Sequence, residues 1–308
     1  MRYLDKLLAA QEANRSWLCI GLDPQPEFMP VEAVKWDEPV LPFNRRIIEA
    51  TADLVCAYKP NLGFYLQWGA AGVIALERTI AAIPDHIPVI LDAKIGDIGN
   101  TQAAWGRGLF DEWGVDAITV NPYVGADAVR PLLAGRPAKA VYVLARTSNS
   151  GAPQFQGDLN AAEGLSAAVL REAGHWAGPD DGHCGFVVGA TWPGELAVAR
   201  ALAPDANFLI PGIGAQGGDL AAAVGHGQTV GHGQTVGHGQ TVGHGQTVGH
   251  GQTVGHGQTV GHGPDNHAGP VINAGRSVIY ASAGLDFDGA AREAALRLRD
   301  EINALRDI

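Results

Sequence analysis

Residues 89–94 read VILDAK. Three apolar residues run without alternation into an aspartate, and a lysine follows two positions later. A strand that faces water on one side alternates apolar and polar residues, whereas one covered on both faces is apolar throughout. This run predicts a buried strand whose polar residues gather at one end. Seven further stretches share its character: WLCIGLD (17–23), VCAYKPN (55–61), AITVN (117–121), AVYVLAR (140–146), GFVVGA (185–190), FLIPG (208–212) and VINAGR (271–276). Helix-like stretches such as FNRRIIEATADL and GGDLAAAV lie between them. Eight β units with crossover helices predict an α/β fold of the (β/α)8 TIM barrel type, one domain over residues 1–308. The alternative is an open doubly wound sheet; eight is the number of strands that closes.

Composition agrees with a globular chain. Of 308 residues, 46% are hydrophobic and 17% charged, enough for a full core. Acidic residues outnumber basic ones 32 to 21, a net charge of −11 that argues against nucleic acid as a partner. The three cysteines, Cys19, Cys56 and Cys184, form no CxxC pair and read as reduced thiols of a cytoplasmic protein. The first residues carry Asp5, Lys6, Glu12 and Arg15 at helical spacing, which predicts an amphipathic helix rather than a signal peptide. No apolar run is long enough to span a membrane.

Polar residues collect where the strands end: Asp23, Lys59, Asp92, Lys94, Asn121, Arg146 and Arg276. In barrels of this type the C-terminal mouth holds the active site. Asp92 and Lys94, two apart, point to the same side of a strand. A structural ion pair is the plainer reading, but buried pairs are costly and seldom needed for stability alone. Lys59 brings a second cation close by, which keeps a carboxylate ionised and suits a reaction that moves negative charge. Asp97 follows past the strand end, between Gly96 and Gly99. The Gly-rich GIGAQGGD (212–219) lies between a strand and a helix and can cradle a phosphate with its N–H groups. Arg276, after the eighth strand, can grip the same phosphate.

In chain order, GLDP (21–24), YKPN (58–61), DAKIGDIGNT (92–101), NPY (121–123), TSNSG (147–151), GATWPGEL (189–196), PGIGAQGGD (211–219) and NAGRSVIYA (273–281) resemble orotidine 5′-monophosphate decarboxylase in its longer bacterial, type 2, form. The resemblance implies decarboxylation of orotidine 5′-monophosphate at C6 to give uridine 5′-monophosphate, the last step of de novo pyrimidine nucleotide synthesis, with no metal and no cofactor. It implies that Lys59, Asp92, Lys94 and Asp97 form an alternating charge network and that Lys94 protonates C6. It further implies a homodimer with shared sites, in which Asp97, Ile98 and Thr101 come from the partner subunit. Asp23 and Lys59 would contact the ribose, and Ser148 the pyrimidine. Gln216 would bridge base and phosphate, and Gly217 and Arg276 would bind phosphate. Asn121 and Pro193 would line the pocket. Ile95 stands at a variable position where the longer form often has arginine; its side chain points away from the Asp92 side.

The residues also admit two rival readings. One is a metal-dependent sugar-phosphate decarboxylase or synthase of the same barrel group. The other is a metal-binding protein built on a histidine repeat. Residues 225–263 repeat Gly-His-Gly-Gln-Thr-Val six times and carry seven of the 11 histidines. The repeat lacks cysteine and carboxylate, and its glycines favour flexibility over a small β-solenoid or a defined metal site. It lies between the helix after the seventh strand and the eighth strand, on the face opposite the mouth. His86, His175, His183 and His267 fit surface or loop positions.

Overall fold

The computed structural model describes residues 1–157, 164–229 and 268–306. All eight apolar runs form strands: β1 Leu18–Leu22, β2 Ala57–Pro60, β3 Ile90–Ile95, β4 Ala117–Val120, β5 Ala140–Arg146, β6 His183–Val188, β7 Phe208–Pro211 and β8 Val271–Ala274. They pair in the order β2-β1-β8-β7-β6-β5-β4-β3, every pair parallel. The two ends of this ladder meet through single parallel bridges, Tyr58 to Val89 and Asn61 to Asp92. The sheet is therefore a barrel whose β2–β3 seam is closed by two bridges instead of a full ladder.

Side chains alternate along each strand and build two cores. The inward set, including Cys19, Ile90, Tyr142 and Leu209, packs with Tyr3 and Leu7 of the helix Tyr3–Asn14. That helix seals the N-terminal end of the barrel. Its Tyr3 hydroxyl bonds the Tyr142 hydroxyl at 2.9 Å, and Lys6 pairs with Asp116 at 2.8 Å. The outward set, including Ile20, Ile118, Phe186 and Ile210, packs under the surrounding helices. With the floor sealed, the C-terminal strand ends form the open mouth. His183 differs from its expected surface place. It begins β6, stacks on Tyr3, and its Nε2 is buried without a partner. Burial pushes the imidazole pKa down to about 4.

The helix Leu220–Gly227 includes the first three residues of the repeat. Arg200 ties them down, donating to the carbonyls of His226 at 3.1 Å and Gly227 at 2.7 Å, while its guanidinium lies over the Phe208 ring. A Cβ on Gly227 would come within 2.9 Å of Pro270. On the far side, Gln11 and Asn207 hold Gly269 through its amide and carbonyl. Both flanks thus meet at the barrel's N-terminal face, where αβ connections lie, away from the mouth. The repeat from residue 230 onward, with the expectations of flexibility, loose metal binding or a solenoid, and His267 lie outside the described residues.

Candidate active site

The site is built on an irregularity of β3. Its register against β4 shifts between Leu91 and Ile95, and Lys94 adopts φ 48°, a left-handed backbone uncommon for lysine. From there Lys94 Nζ still reaches Asp92 Oδ1 at 2.6 Å. The two residues do meet on one side, though through an irregular stretch of β3 rather than regular extended backbone. Lys59, at the end of β2, donates to Asp92 Oδ2 at 2.9 Å, and Asn61 adds a longer bond of 3.3 Å to the same oxygen. Thr119 of β4 donates to Oδ1 at 2.8 Å. The carboxylate has about four lone-pair sites, and each oxygen receives two donors. Ile95 turns into the outer core, as expected.

Burial alone would raise the Asp92 carboxyl pKa, but Lys59 and Lys94 outweigh it and hold the group well below the usual carboxylate range. For Lys59 burial pulls the ammonium down, and Asp92 and then Asp23 more than restore it, so it lies above the usual lysine range. Asp23 goes the other way: burial raises its carboxyl pKa, and Lys59 offsets this only in part. Asp23 Oδ1 and Asn273 Oδ1 are buried without a partner. Both residues line the mouth cavity of about 600 Å³, and orphan acceptors of this kind suit donors on a ligand. The volume is that of a typical small-molecule pocket.

Asp23, Lys59, Asp92, Lys94, Ser148, Gln216 and Arg276 all line this one cavity. Ser148 donates to Gln216 Oε1 at 3.1 Å, joining the loop after β5 to the Gly-rich loop after β7. Arg276 starts the short helix after β8 and pairs with no carboxylate among the described residues. The other expected residues stand outside the lining. Asn121 is exposed, and its Oδ1 accepts the Tyr123 amide at 3.0 Å, so it builds its own turn. Pro193 is exposed at the first position of the helix Pro193–Leu202. Gly217, at φ 70°, gives its N–H to the Gly214 carbonyl at 2.9 Å. That amide shapes the loop, and Ala215 and Gln216 are its neighbours on the cavity wall.

Asp97, Ile98 and Thr101 do not line the cavity of their own barrel. Buried Gln102 holds their loop: its Oε1 accepts the Asp97 N–H at 3.1 Å, and its Nε2 donates to the Ala128 carbonyl. Among the lining residues with no role in the sequence reading are Asn61, Thr119 and Asn273. Each is a polar residue within a largely apolar run, in YKPN, AITVN and VINAGR, and that is the signal that could have marked them.

Comparison with known proteins gives a concordant result. Residues 16–236 match the model of the Orotidine 5′-phosphate decarboxylase / HUMPS family. The chain is 44% identical to the orotidine 5′-phosphate decarboxylase of Thermomicrobium roseum, covering 99% of this chain and 96% of that one. It is 41% identical to that of Herpetosiphon aurantiacus, with 95% of each covered. Its fold superposes on the structure of Leishmania donovani OMP decarboxylase with a TM-score of 0.76 at 33% identity, the whole of both chains being covered. With the family model and full-length relatives in agreement, this chain belongs to the orotidine 5′-phosphate decarboxylase / HUMPS family.

Proposed function

We propose that the barrel mouth removes CO2 from C6 of orotidine 5′-monophosphate through Lys94, with neither metal nor cofactor. By family the chain is a carboxy-lyase that forms uridine 5′-monophosphate in pyrimidine nucleotide biosynthesis. The observation that carries the proposed mechanism is the Asp92 carboxylate, held between the Lys59 and Lys94 ammonium groups at 2.9 and 2.6 Å on the cavity wall. As the C6–carboxylate bond breaks, its electron pair stays on C6. The Lys94 ammonium stabilises that charge and transfers a proton to it; water then reprotonates the lysine. Asp92 holds the Lys94 ammonium in place.

Arg276 binds the phosphate, Gln216 bridges phosphate and base, Ser148 bonds the pyrimidine, and Asp23 with Lys59 takes the ribose hydroxyls. Gly217 serves by shaping its loop, and Asn121 and Pro193 border the entrance. Phosphate binding, remote from C6, contributes energy that orders the reacting end.

The working unit in this reading is a homodimer in which the partner supplies the equivalents of Asp97, Ile98 and Thr101. These residues miss their own cavity. Ile98 itself is 55% exposed, Trp105 is exposed on the helix that carries Thr101, and Tyr123 is 93% exposed. An apolar surface of this kind suits a self-complementary contact. Free thiols at all three cysteines fit a cytoplasmic location, and no helix among the described residues is long and apolar enough to cross a membrane.

The test is conversion of orotidine 5′-monophosphate to uridine 5′-monophosphate by the purified protein in EDTA. Turnover independent of metal is expected. Loss of turnover that a divalent cation restores would favour the metal-dependent members of the barrel group.

A further inference from the structure

Thr119 stands one residue before the end of β4 and lines the mouth cavity. Its hydroxyl makes two bonds of opposite sense. It donates to Asp92 Oδ1 at 2.8 Å and accepts the backbone N–H of Lys94 at 2.9 Å. The sense of each is forced, because a carboxylate only accepts and an amide N–H only donates.

The backbone at this point depends on that hydroxyl. The β3–β4 ladder pairs Leu91 with Ile118 and resumes at Ile95 with Val120. Between them the Lys94 N–H turns to the Thr119 side chain in place of a strand carbonyl. Lys94 also holds φ 48°, a conformation that a side-chain-bearing residue disfavours unless its surroundings impose it.

We infer that Thr119 is a positioning residue for the decarboxylation: its hydroxyl fixes the Lys94 backbone and the Asp92 carboxylate in one piece, and so sets where the Lys94 ammonium meets C6. The lysine is held at both ends. Thr119 pins its backbone, and Asp92 Oδ1, which Thr119 also holds, pins its tip. The Lys94 side chain is 48% exposed and has little else to confine it. Thr119 acts through Lys94 and Asp92, not on the substrate itself. The inference rests on Lys94 being the proton donor.

Thr119→Val keeps the branched shape and removes the hydroxyl. The Lys94 N–H and one side of Asp92 then lose a partner, and the lysine swings. A misplacement of about 1 Å can cost about 100-fold in rate. The expected result is a kcat lower by about 10- to 100-fold, with KM for orotidine 5′-monophosphate changed less than about threefold. Phosphate and base contacts at Arg276, Gln216 and Ser148 are untouched. Rates are expressed per site counted by uridine 5′-monophosphate titration, so a loss of folded protein does not mimic a loss of kcat.

Thr119→Ser, which restores the hydroxyl, should recover most of the rate. Thr119→Ala is the second hydroxyl-free variant should the valine protein not fold. Wild-type kcat per site in a hydroxyl-free variant, or failure of serine to recover more than alanine, overturns the inference. Lys94→Ala run alongside separates the two claims. If it remains active, the proton-donor reading fails and Thr119 with it; if it is inactive while Thr119→Val is normal, only the Thr119 inference fails.

Discussion

Asp92→Asn keeps the shape of the side chain and removes the charge that four donors address. Asparagine offers one acceptor oxygen, and its NH2 group must face donors that now point at it. Lys94 can turn to water, but Lys59 is only 4% exposed and cannot. Removing one partner of a buried ion pair costs about 3–5 kcal/mol. For a domain of this size each kcal/mol shifts Tm by about 2–4 °C, so Tm should fall by about 6–20 °C near pH 7. The pH dependence carries a second signature. In the wild type the Lys59 pKa is raised, so its contribution is complete below the unfolded value of about 10.4 and fades only as pH climbs through the folded value above that.

Without Asp92 the burial of Lys59 prevails, with Asp23 a partial counterweight, and its pKa falls below the unfolded value. The folded variant then prefers a neutral lysine, so its deficit is full near pH 7 and shrinks as pH rises towards about 10. Asp92 itself, with a lowered pKa, contributes from above about pH 4 and is constant over this window. Calorimetric scans of both proteins near pH 7 and about pH 9.5 supply the comparison. A Tm loss under about 2 °C, or a gap that widens with pH, would refute the reasoning.

Three further outcomes follow from the same geometry. Arg276→Ala removes a guanidinium that could make two charge-assisted bonds to phosphate, about 1.5–3 kcal/mol each. kcat/KM should fall by at least about 100-fold while Tm moves less than about 2 °C; an unchanged kcat/KM removes Arg276 from the phosphate site. Mixing Lys94→Ala with Asp97→Ala protomers should restore about a quarter of wild-type activity, since half the dimers are mixed and each holds one intact site; two inactive proteins that stay inactive after re-association contradict shared sites. Deleting residues 225–260 should leave kcat within about twofold of wild type. In that protein Gly261, His262 and Gly263 follow Val224 and supply the residue types on which the Arg200-bound helix end is built. A large fall in kcat with the fold intact would give the repeat a function.

The barrel was legible because each strand is apolar on both sides and ends in polar residues, a pattern that VILDAK shows in six letters. The inward set of site residues was legible for the same reason. Lys59 and Asp92 sit in β2 and β3, where register dictates direction, and Arg276 follows β8 by two residues. What the sequence concealed was local backbone detail. Nothing in AITVN says that Thr119 supplies a side-chain acceptor to the Lys94 amide, since that depends on the register shift of β3 against β4. Gly217 looked like an anion cradle, yet its N–H closes a turn on Gly214. Asn121 and Pro193 sit close to the mouth in sequence, but one caps a turn and the other begins a helix. His183 looked like a loop residue because a short apolar run hides where a strand begins.

The central claim is that Lys94 delivers the proton to C6. It is tested most directly by single-turnover decarboxylation of orotidine 5′-monophosphate by Lys94→Ala in EDTA, with uridine 5′-monophosphate binding measured on the same sample. The account predicts a rate lower by at least about three orders of magnitude, with product binding retained and the protein folded. Near-normal turnover in that variant would contradict it.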